Sequence, residues 1–167
     1  YGDYFTLTGG QDDSVTGFFL INGRCYGGTS EGIFKISFIG GLAVFQYKQV
    51  ISDVGIVPGT LRVVVTETRG QLAIFLGTDK NMYLFDGAFV KEISKKYREP
   101  NNDTEMCLEY IDDTYIDKCH GEYDPAKGLY RLFAPRKGQS TCTHCLNIDI
   151  ETFAYFPYDG MTFGAST

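Results

Sequence analysis

Apolar and polar residues alternate with a period of two along much of the chain, most clearly from Thr60 to Ile93. Leu61, Val63 and Val65 alternate with Arg62, Val64 and Thr66, and this strand pattern stops at Glu67-Thr68-Arg69-Gly70, where glycine supplies a positive φ. Gln71 to Leu76 is the next predicted strand. Its two faces, Leu72/Ile74/Leu76 and Ala73/Phe75, are both apolar, so protein should cover both. Gly77-Thr78-Asp79-Lys80 turns the chain into Met82 to Phe85, and Asp86-Gly87, a strong two-residue hairpin signal, returns it along Ala88 to Ile93. Residues 60–93 are thus predicted to form a central four-stranded β-meander.

The same reading covers the rest of the chain. Tyr4 to Thr8 alternates as a first strand, and Gly17 to Asn22 is a continuous apolar strand that Asn22-Gly23 should fold back onto Arg24-Cys25-Tyr26. Ile33 to Ile39 sets Ile33, Lys35, Ser37 and Ile39 on one face and Phe34, Ile36 and Phe38 on the other, and Leu42 to Tyr47 is its hairpin partner. Gln49 to Gly59 is an irregular connection. A short helix fits Lys91 to Tyr97, limited by Pro100 to about two turns. Later strands are predicted at Gly128 to Phe133 and Leu146 to Phe156, and no long internal repeat or linker divides the chain. The expected fold is one all-β domain over residues 1–167, a mostly antiparallel sandwich or barrel of about ten short strands with at most one short helix.

One segment departs from this pattern. Residues 99–124 are an acidic excursion, with Glu99, Asp103, Glu105, Glu109, Asp112, Asp113, Asp117, Glu122 and Asp124 set against Lys118. Within it CLEYIDDTYIDKC is nearly palindromic about Asp113, which predicts a hairpin folded at Asp112-Asp113-Thr114. That pairing opposes Cys107 and Cys119 with Cβ atoms about 4.5–5.5 Å apart, within reach of a disulfide.

Composition narrows the functional classes. The 167 residues carry a net charge of −6, which disfavours nucleic acid and anionic membranes, both of which need clustered Lys and Arg. No run of about eighteen apolar residues predicts a membrane span. The start at Tyr1 fits a processed secretory protein or a domain of a longer chain, and Asn102-Asp103-Thr104 is an N-glycosylation acceptor beside Pro100. Gln11-Asp12-Asp13-Ser14 lacks the ordered spacing of a calcium loop and reads as a turn.

The five cysteines admit two chemistries. In an oxidised domain Cys107–Cys119 is one bridge, Cys25 with Cys142 or Cys145 is the second, and one thiol remains for an intermolecular bond. The second bridge would close more than about a hundred residues, worth roughly 4–5 kcal/mol in the chain-entropy model. Alternatively Cys142-x-x-Cys145 supplies paired thiolates for zinc, with Cys107, Cys119 or His120 completing the set. For catalysis the chain offers no nucleophile elbow and no Cys with an identifiable His, and Gly27 to Gly32 lacks the lysine of a phosphate loop, so neither catalytic residues nor a cofactor are expected. Tyr1, Tyr4, Tyr26, Tyr47, Tyr155 and Tyr158 lie near termini or turns, where tyrosine favours sticky but soluble surfaces.

These readings converge on a secreted or surface-exposed, disulfide-bonded, non-enzymatic module for binding, adhesion or self-assembly, located outside the cell or on a cell or virion surface, with a protein or its own copy as partner. Leu76-Gly77-Thr78-Asp79 leading into Met82-Tyr83-Leu84 resembles the late hairpin of lipocalins over about a tenth of the chain, although their early Gly-x-Trp is absent in a protein without Trp. That resemblance implies an alternative, a carrier of a small apolar ligand inside an up-and-down barrel. An intracellular or viral domain with structural zinc is the third expectation.

Overall fold

A computed structural model describes residues 13–40, 45–94 and 108–159, the last three of these by backbone alone. The fold is mostly antiparallel β and sandwich-like: among the described residues, twelve strands lie in three four-stranded sheets. The first sheet holds β1 (Val15–Ile21), β2 (Arg24–Thr29), β3 (Ile33–Phe38) and β4 (Phe45–Ile51) in chain order. The second holds β5 (Arg62–Thr66), β6 (Gly70–Leu76), β7 (Met82–Phe85) and β8 (Val90–Glu92), again in order. The third holds β9 (His120–Asp124), β10 (Leu129–Pro135), β11 (Cys142–Asp149) and β12 (Tyr155–Asp159). The chain therefore repeats one plan three times, a four-stranded meander, where its residues show no repeat.

The three sheets stack face to face. Side chains from the first sheet (Phe19, Ile21, Tyr26, Ile33) pack against one face of the second (Ala73, Phe75, Tyr83, Phe85). From the opposite face of the second sheet, Val64, Leu72, Ile74, Leu76, Met82 and Leu84 pack against Tyr130, Leu132, Ala134, Leu146 and Ile148 of the third. Both faces of β6 are thus covered, as its two apolar faces predict. The opening strands are neighbours, β1 lying against β5 and β5 against β9. Successive meanders stacked with their first strands adjacent are arranged as the blades of a β-propeller, in which typically about four to eight blades close a ring.

Hydrogen bonds stitch the two seams. Between the first and second sheets, Tyr26 Oη donates to the Gly87 carbonyl at 2.9 Å, Ile56 N–H to Thr29 at 2.8 Å and Thr78 N–H to Gly55 at 3.2 Å. Between the second and third, Tyr130 Oη donates to the Thr60 carbonyl at 2.6 Å and Gly121 N–H to Gly59 at 3.0 Å. The irregular segment before β5 therefore serves as a spacer bonded to all three sheets.

Turn chemistry explains most boundaries. Asn22 and Gly23 take φ of 49° and 73°, the primed turn their identities predict. Gly70 takes φ of 73° at the end of the loop after β5. At Asp86-Gly87 the loop has four residues rather than two, because Phe85 pairs with Val90 and the Asp86 carboxylate accepts the Ala88 and Phe89 amides, each at 2.8 Å. Gly87 still needs its φ of 98°, and an added Cβ would lie 3.1 Å from the Tyr26 hydroxyl. Gly87→Val should therefore cost about 2–3 kcal/mol, since a β-branched residue resists that φ and disturbs the Tyr26–Gly87 bond. Chemical denaturation checks this, and an unchanged midpoint would contradict it.

Several expectations are corrected. The hairpin at Asp112-Asp113-Thr114 does not form; Leu108–Tyr110 and Asp113–Lys118 are 3-10 helices. The Asp112 carboxylate accepts the Thr114 amide at 2.8 Å and the Gly138 amide at 2.7 Å, so side-chain bonds replace the strand ladder there. The strand predicted over Leu146 to Phe156 breaks where Asp149 Oδ1 accepts the Glu151 and Thr152 amides, at 3.0 and 2.7 Å. Gly27 and Gly28 lie within β2, and an added Cβ on Gly28 would stand 2.6 Å from Ile56. The meander of residues 60–93 ends as an open four-stranded sheet and does not close into a barrel. Lys91 and Glu92 lie in β8 and Ile93 and Ser94 follow it, while residues 95–97 of the predicted helix and the strand Tyr4 to Thr8 fall outside the described residues.

Candidate functional site: an apolar face on the first sheet

The outer face of the first sheet, opposite the side packed on the second, follows from strand register. Leu20, Cys25, Ile36 and Tyr47 are directly opposed across four strands, and so are Phe18, Gly27, Phe34 and Gln49 in the next row. Phe38 and Phe45 form a third row. None of these ten positions is charged, whereas the solvated face of an antiparallel sheet normally alternates to polar residues. Phe18 is 63% exposed, Leu20 59% and Phe38 73%, with Phe45 and Tyr47 at 48% and 43%. Edge-to-face ring pairs hold the far side, Phe34–Tyr47 at 6.0 Å and Phe38–Phe45 at 5.9 Å.

The outer face of the third sheet differs. Arg131 lies opposite Glu122 and Asn147, Leu129 opposite Asp124 and Asp149, and Arg131 Nη2 reaches Asp124 Oδ2 at 2.8 Å. The stack thus presents one apolar end and one charged end.

The residues singled out from the sequence lie elsewhere. Among the described residues, Cys25, Cys119, Cys142 and Cys145 are free thiols. Cys25 sits on the outer face of the first sheet, and Cys142 and Cys145 pack with Phe133 on that of the third, so the whole second sheet separates them. Cys107 and Asn102 lie outside the described residues. Cys119 packs into the core between the second and third sheets.

The zinc set Cys142, Cys145, Cys119 and His120 is only partly gathered. Cys142 and Cys145, three apart on a strand, would face opposite ways, but a bulge at Thr143 brings both to Phe133. His120 Nδ1 lies 3.9 Å from Cys142 Sγ, while the Cys142 thiol is 3.2 Å from the Lys118 carbonyl it donates to. The His120 ring stacks on Phe133 at 4.7 Å. Among the described residues no three His, Cys, Asp or Glu side chains converge as metal ligands.

Burial pushes the Cys145 thiol up to about 11 from its ordinary 9.0, opposed by Arg131 and aided by Glu122, and it raises Cys119 and Cys142 too. Thiolates being the reactive form, burial lowers the reactivity of these three thiols. In a Cys107→Ser background, a thiol reagent should modify Cys25 in the native protein and all four cysteines only after unfolding. Between pH about 9 and about 11 the unfolded chain has lost the Cys145 proton and the folded chain has not. The folded state then binds more protons, so stability falls as pH rises through that window. A Cys145→Ala variant should lose part of this alkaline decline in denaturation midpoint; equal slopes in the two proteins would contradict it.

Among the described residues, each sheet packs its inward side chains against the next. A cleft of about 260 Å³ beside the second sheet is lined by Leu72, Leu84 and Phe89 but also by Arg69, Asp86 and Lys91. Among the described residues, no helix is long and apolar enough to cross a membrane. No protein-family model matches the chain, and no curated protein matches it either.

Proposed function

We propose that this chain is a non-enzymatic binding and assembly module that docks a protein partner on the outer face of its first sheet. One observation carries this reading: Phe18, Leu20 and Phe38 are more than half exposed on a face without a charged position. Taking about 150–250 Å² for each large side chain, the five exposed ones present roughly 600 Å², the upper end of the largest apolar patch on a typical monomer. Patches of that size mark interaction sites, and the net charge of −6 keeps the remaining surface soluble. A place outside the cell or on a virion surface belongs to the same proposal, supported by the acceptor triplet at Asn102 and the acidic balance.

The test is an environment-sensitive apolar dye, titrated at high dilution against the native protein and a Leu20→Lys/Phe38→Lys variant. The native chain should enhance dye emission, and the variant should lose most of that signal while keeping its circular dichroism spectrum. Absence of dye binding to the native chain at every dilution would remove the face as a docking surface.

A further inference from the structure

Resting on that reading, we infer that the partner covering this face is a second copy of the same chain, bound face to face about a two-fold axis. Area is the first argument. The exposed side chains, together with Ile36, Cys25 and Gln49 in the same rows, approach the roughly 800 Å² per partner of a standard stable interface, so pairing two such faces buries about 1,200–1,600 Å² in total. A two-fold contact requires a self-complementary patch, and an uncharged apolar face is complementary to itself.

The second argument is how this chain already packs. At both internal seams one apolar sheet face lies on another. A third such contact continues the stack with the same chemistry. The other available mate, the outer face of the third sheet, would set Arg131, Glu122, Asp124 and Asp149 against Phe18 and Leu20 and strip water from charges with no partner across the interface. Stacking first sheet on third, which would join two three-sheet chains into a six-sheet ring or build open filaments, is therefore disfavoured relative to first on first.

The third argument is the sequence of β1. Its run Phe18-Phe19-Leu20-Ile21 is continuously apolar, the pattern of a strand buried on both faces, yet the second sheet covers only Phe19 and Ile21. The composition of the strand implies a cover on its other face.

Sedimentation velocity of the full chain, from submicromolar to high micromolar concentration, tests this. The expected species is a dimer of about 37 kDa, twice the 18.6 kDa chain. Leu20→Lys and Phe38→Lys should each shift dissociation at least about tenfold toward monomer with unchanged circular dichroism, and Phe156→Lys, on the charged end, should not. Three results would overturn the inference. A chain monomeric at all concentrations that still binds the dye would leave the docking face standing and remove the second copy as its occupant. A monomer that binds no dye would remove both. Filaments or a dimer dissolved by Phe156→Lys would show first-on-third stacking instead.

Discussion

Gly55→Ala should unfold most of the protein at room temperature. Gly55 is buried where the segment before β5 passes between the first two sheets, and an alanine Cβ there would stand 1.7 Å from the Ser30 carbonyl oxygen and 2.8 Å from Thr78 Oγ1. The first of these neighbours is backbone, so no rotamer change relieves the contact. The sheets must move apart, which breaks the Thr78–Gly55 and Ile56–Thr29 bonds and opens the core around Ile56 and Phe75. A loss above about 4–5 kcal/mol is expected, comparable with the whole stability of many domains. Gly17→Ala is the control, with no atom within 4 Å of its added Cβ, and should be neutral or slightly stabilising. Urea titration followed by far-ultraviolet circular dichroism separates the two, and a cooperative Gly55→Ala transition near the parent midpoint would refute the seam.

The second seam has its own close approach. A Cβ on Gly121 would meet the Thr60 carbonyl and the Tyr130 hydroxyl, each at 2.4 Å. Both glycines lie where one sheet's backbone meets the next, so the spacing between sheets is set by residues without side chains.

Strand alternation and turn residues made the elements legible. Met82–Phe85 and the Asn22-Gly23 turn sit where the residues place them, and the meander of residues 60–93 is present strand for strand. The failures share a cause: short polar side chains that bond local amides. Asp112 and Asp149 each capture two backbone amides, and neither the near-palindrome about Asp113 nor the apolar alternation past Ile148 could reveal that choice. The threefold repeat stayed hidden because each meander meets the pleat with different residues, and propeller-like stacking constrains the side of burial rather than the identity of what is buried.

The candidate site was half visible. A continuously apolar β1 announces two covered faces, but the sequence does not say whether this chain supplies both covers. For β3 the alternation separates Phe34, Ile36 and Phe38 from Ile33, Lys35 and Ser37 without saying which set faces the core. The aromatic set looks like the core face, yet Ile33 joins the core between the sheets, while in the aromatic set Phe34 is buried and Phe38 points to solvent, 73% exposed. The cysteines drew attention because their chemistry is loud, although the first and third sheets hold Cys25 apart from Cys142 and Cys145.

Neighbouring substitutions on β6 test the stack itself. Ile74 and Phe75 are both fully buried, but Ile74 packs toward the third sheet and Phe75 toward the first, where its ring lies 5.8 Å from that of Tyr83. Ile74→Ala should cost about 2–5 kcal/mol and Phe75→Ala about 3–5 kcal/mol, from lost transfer energy plus the cavity left behind. A two-layer sandwich with one wet face on β6 would instead spare one of the two. Hydrogen exchange should resolve which seam loosens: Phe75→Ala speeds exchange chiefly in β1 and β2, Ile74→Ala chiefly in β10 and β11. Because the two side chains occupy separate cores, the losses should add to within about 0.5 kcal/mol in the double variant if the sheets communicate only through β6. A large shortfall from additivity would mean that opening one seam already opens the other, and that the three meanders unfold as one body.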